Sequence, residues 1–65
     1  MARFGVFKEC SDGEWLFVSW GDSLKHSQEQ IAHLIRSDGH FNYFIQDFRR
    51  NVEVWSWSPG DDVIS

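Results

Sequence analysis

Cysteine, proline, tyrosine and methionine occur once each in the 65 residues. A single cysteine, Cys10, excludes an internal disulfide framework and a zinc site built from cysteines alone. No apolar run approaches the length of about 18 residues that marks a membrane-spanning helix. The opening Met1-Ala-Arg-Phe-Gly-Val-Phe7 lacks the hydrophobic stretch of a signal peptide. The expectation from these absences is a chain that does not act in a membrane and works in a reducing cytoplasm. Bases are scarce as well: six Lys and Arg stand against ten Asp and Glu, a net charge of −4. They are scattered as Arg3, Lys8, Lys25, Arg36, Arg49 and Arg50, and the one adjacent pair is flanked by Asp47 and Glu53. A duplex-binding surface concentrates Lys and Arg on one face to displace counterions from phosphates, so duplex DNA is disfavoured as a partner.

Catalytic signatures are also missing. There is no glycine-rich phosphate loop and no Gly-x-Ser-x-Gly elbow. Asp12, Glu14 and Asp22 lack the twelve-position pattern of a calcium loop. His26, His33 and His40 recur every seven residues, but helical neighbours at that spacing lie roughly 10 Å apart, too far for one metal with bonds near 2.1 Å. Cys10 sits beside a turn without a helix N-terminus to lower its pKa. No catalytic residue, metal ligand or cofactor is assigned, and an enzyme ranks last among the readings.

What is present is apolar and aromatic: 42% of the residues are hydrophobic and 17% aromatic, including four tryptophans. Disorder is excluded by that composition. A chain of this mass folds to roughly 4,300 Å² of surface, burying about 60% of what it exposes when open. The result is one small domain, expected over residues 1–58, with 59–65 as a loose tail.

Residues 2–9 and 14–20 read as strands joined through Ser11-Asp12-Gly13, because Asp-Gly supplies the positive φ of a hairpin turn. An unbroken register pairs Phe4 with Trp20, Val6 with Val18, Phe7 with Phe17 and Lys8 with Leu16. One face then carries Phe4, Val6, Leu16, Val18 and Trp20, and the other Phe7, Trp15 and Phe17. Leu24, Ile31, Leu34 and Ile35 share one side of a helical wheel, predicting a helix near 24–37. Ser27 with Gln30 fits a capping box, and Asp22 or Ser23 caps an earlier start. Arg36 and Gly39 mark its end.

Residues 41–48 fit two templates. Phe41, Phe44, Ile45 and Phe48 have helical spacing, yet the residue types favour a strand. Strand–turn–strand is preferred, with Asp47 bonding back to the backbone and Asn51 tolerating the left-handed region. Val52-Glu-Val-Trp-Ser-Trp57 alternates as a strand, with Val52 and Val54 toward the helix and Glu53, Trp55 and Trp57 on the opposite face. Ser58-Pro59-Gly60 ends it. The expected fold is α+β: an antiparallel sheet of about four strands with one helix on one face, order ββαββ, with ββααβ as the alternative.

The aromatics carry the functional reading. An exposed Trp/Tyr/Phe platform rimmed by charge is how protein interfaces place their anchors. Trp15, Tyr43, Trp55 and Trp57 are the candidate binding residues. The expectation is a small acidic binding module, a regulator, adaptor or inhibitor of the kind phages and mobile elements carry, whose partner is a protein or another copy of itself. The alternative is a nucleic-acid-binding module, either stacking single strands or using 27–50 as a helix-turn-helix.

Overall fold

The computed structural model describes residues 3–61. Phe4–Glu9 (β1) and Trp15–Gly21 (β2) form the first hairpin, Leu24–Ser37 (α1) follows, and Tyr43–Asp47 (β3) and Val52–Trp57 (β4) form the second. All neighbours in the sheet are antiparallel and their order is β2-β1-β3-β4. The α+β class and the ββαββ order are those read from the sequence, and residues 41–48 supply a strand rather than a helix.

Local chemistry explains each boundary. In the first turn the Cys10 amide donates to the Glu14 carbonyl at 2.7 Å, and the Gly13 amide donates to the Cys10 carbonyl at 2.9 Å. Gly13 stands at φ 86°, where a side chain would be strained. Ser23 caps α1, its hydroxyl accepting from the His26 amide at 3.1 Å. The cap is therefore Ser23 and not the Ser27–Gln30 box. Ser27 is fully buried, and its hydroxyl donates to the Ser23 carbonyl at 3.0 Å. In the second turn the Asp47 carboxylate accepts from the Arg49 and Arg50 amides at 3.0 and 3.3 Å, and Asn51 takes φ 57°. Past β4 the chain closes a turn in which the Asp61 amide donates to the Ser58 carbonyl and the Ser58 amide to the Asp61 carboxylate. The remainder of the expected tail, 62–65, lies outside the described residues.

Helix α1 packs across β1, β2 and β3 on one side of the sheet. Its buried Ile31 and Ile35 meet Phe4, Val6, Tyr43, Ile45 and Trp57, while Val18, Leu24, Leu34, Phe41, Val54 and Trp55 close the margins. The total accessible surface is 4373 Å². One polar pair joins this core. Asp47, buried among the strands, accepts from Arg3 Nε at 3.0 Å and Nη2 at 2.7 Å. That hydrogen-bonded guanidinium holds the Asp47 carboxyl at about 2, below its ordinary value.

Two bulges reset the faces. Between Val6 and Phe7 the pairing jumps from Ser19 to Phe17, leaving Val18 as an extra residue in β2. Between Ile45 and Gln46 it jumps from Trp55 to Glu53, leaving Val54 extra in β4. A bulge inserts one residue, so every side chain beyond it changes face relative to strict alternation. Trp20 accordingly pairs with Gly5 and leaves the helix side, where unbroken pairing with Phe4 had put it. Trp55 and Trp57 pair with Ile45 and Tyr43 on the helix side, whereas alternation had put them opposite it. Trp57 is buried, and Val52, expected inside, is exposed.

Candidate functional site

One helix covers one side of four strands, so the other side is bare. Register assigns its occupants: Trp15, Phe17 and Trp20 from β2, Gly5, Phe7 and Glu9 from β1, Phe44 and Gln46 from β3 with Phe48 just beyond it, and Glu53 and Ser56 from β4. Six of these are aromatic and they touch in sequence. Trp15 meets Phe44 edge-on with centroids 4.6 Å apart, and Phe44 stacks on Phe7 at 4.8 Å. From Phe7 the contacts close a circuit through Phe17 at 5.4 Å, Trp20 at a further 5.0 Å, Phe48 at 5.2 Å and back to Phe7 at 6.2 Å. Edge-to-face and offset contacts at these distances are individually attractive, so the rings are held in place before anything docks.

Gly5 is the floor of that circuit. A Cβ there would meet the Phe48 ring at 2.4 Å and Phe17 at 3.2 Å. Glycine in a strand interior often marks such a close approach. Despite their mutual packing the rings remain accessible: Trp15 is 46% exposed, Trp20 52%, and Phe17 and Phe48 40% each.

The face divides into two halves. Its β2–β1 side, with Phe44 and Phe48, is aromatic, and its β4 side is polar with Gln46, Glu53 and Ser56. No Lys or Arg occupies a strand position on it among the described residues. The flanking charges separate by end. Glu9, Asp12 and Glu14 lie at the end where β1 turns into β2, and Arg49 and Arg50 lie at the opposite end, in the turn after Phe48. Glu14, Arg49 and Arg50 are exposed, and none of them forms an ion pair among the described residues.

Of the four candidates read from the sequence, only Trp15 lies on this face. Tyr43 is 1% exposed, its hydroxyl donating to the Gly39 carbonyl at 3.0 Å, and Trp57 is 4% exposed. Both are core residues without surface to offer a partner. Trp55 packs half-buried against the same core. Five of the six rings were not among the candidates: Phe7 and Phe17, which the hairpin register had already set on the face of Trp15, and Trp20, Phe44 and Phe48. Phe44 and Phe48 carried a usable signal, since in a strand 44, 46 and 48 share one face. Trp20 carried none, because its face depends on the bulge at Val18.

Two further hollows lie elsewhere. One of about 490 Å³, between α1 and β2, is lined by Val18, His26, Glu29, Gln30, His33 and Leu34. His26 and His33 are exposed, and the His26 ring meets the Gln30 amide at 3.1 Å. The other, about 410 Å³, brings Cys10 and His40 to one rim, but no hydrogen bond joins them among the described residues. Neither assembles a nucleophile with a positioned base. No family model, curated protein or solved structure matches the chain.

Proposed function

We propose that the chain is a protein-binding module that works by occupying a partner's surface, as a regulator, adaptor or inhibitor, with the open aromatic face as its contact. The observation that carries this reading is the unbroken set of six rings on the uncovered side of the sheet, four of them 40% exposed or more. Large rigid rings clustered on one surface are the anchors that dominate protein interfaces. Taking about 200–250 Å² for a whole aromatic residue, the four most exposed rings offer roughly 400 Å², within the range where a monomer's largest apolar patch is often functional. Single-strand stacking is the weaker reading: it needs cations tracking a phosphate backbone, and the strand positions here supply none.

The test compares affinity capture from the source cell by the native chain and by a Trp15→Ser/Trp20→Ser variant, each first shown folded by circular dichroism. Loss of one true anchor costs about 2 kcal/mol, roughly thirty-fold in affinity. A protein held by the native chain and released from the variant supports the reading. A protein retained equally by both overturns it, as does capture of nucleic acid alone.

A further inference from the structure

We draw no further inference here: the strongest candidate, the identity of the partner that docks on the open aromatic face of the sheet opposite α1, carries nothing beyond the reading above, because nothing in the structure shows what covers that face.

Discussion

Gly5 and Gly21 occupy neighbouring cross-strand positions of one hairpin and point to opposite sides of the sheet, so alanine at each adds the same methyl group to two unlike surroundings. At Gly21 the new Cβ would stand 1.9 Å from Ser27 Oγ and 3.1 Å from Ser27 Cβ, far short of the 3.4 Å at which ordinary contact begins. Ser27 is fully buried and its hydroxyl is already committed to the Ser23 carbonyl, so relief requires α1 to lift from β2. Overpacking of this kind costs about 1–3 kcal/mol, less the roughly 0.5–1 kcal/mol that any strand glycine gains on becoming alanine. The net cost centres on about 1.3 kcal/mol, an expected fall in Tm of about 5–10 °C at 4–8 °C per kcal/mol for a domain this size. At Gly5 the obstruction is the rim of the Phe48 ring, which is 40% exposed and can yield toward solvent at the cost of its contacts with Phe7 and Trp20. Its Tm should stay within about 5 °C of the native value. The ring circuit around Phe7 opens, however, and retention of a captured partner should weaken as it does in the Trp15→Ser/Trp20→Ser variant. Thermal melts by far-ultraviolet circular dichroism read the first effect, and near-ultraviolet spectra with the capture assay read the second. Gly21→Ala combined with Ser27→Ala should cost less than the sum of the two, because the hydroxyl is the nearest obstruction. A Gly5→Ala protein that melts as low as Gly21→Ala, or one that holds a captured partner as the native chain does, refutes this account of the two faces.

The Arg3–Asp47 pair predicts an acid limb. The folded carboxyl titrates at about 2 against an ordinary 3.8, so its stabilisation is complete above about pH 4 and is lost as pH falls from about 4 to about 2. Asp47→Asn should lower Tm at pH 7 and flatten Tm between pH 4 and 2, and a native chain whose Tm is level across that interval contradicts the assignment. Ser23→Ala removes the α1 cap and should cost about 1 kcal/mol, a Tm loss of about 4–8 °C; a melt unchanged within error would mean that the His26 amide has another acceptor. Duplex DNA should bind weakly if at all, with affinity collapsing by about 150–200 mM salt, and a tight complex with one sequence at that salt would return the helix-turn-helix reading.

The sequence resolved elements better than faces. Helix α1 was legible because Leu24, Ile31, Leu34 and Ile35 repeat with its period and Arg36 and Gly39 punctuate its end. Both hairpins were legible from turn chemistry, Asp12-Gly13 in one and Asp47 with Asn51 in the other. Which side of the sheet each tryptophan joins was not. Val18 and Val54 are ordinary strand residues, and nothing in their identity marks them as extra. A bulge is fixed by how two strands meet across the sheet, which is tertiary information. The candidate site inherited that error. Trp55 and Trp57 looked exposed because Val52 and Val54 filled the alternate positions; the one inserted residue brings both tryptophans to the helix side, while Val54 still packs at the core margin and Val52 is exposed. Trp15 was placed correctly because it precedes the bulge in its strand.

The strand order has a kinetic consequence. Strands β1 and β2 pair across a turn, and so do β3 and β4, while the seam in the middle of the sheet joins β1 to β3 across the whole of α1. Hairpins and a short helix each form in about a microsecond to ten microseconds, whereas a seam between distant segments must first close a long loop. The central contact of the finished sheet is therefore its latest. Until it forms, each hairpin exposes core residues, Phe4 and Val6 on one and Tyr43, Ile45 and Trp57 on the other. Substitutions at Val6 or Ile45, which face each other across the seam, should speed unfolding more than they slow folding. Changes in either turn should act chiefly on the folding rate. Stopped-flow rates for Ile45→Val, with φ near 1 instead of near 0, would show that the two halves meet early.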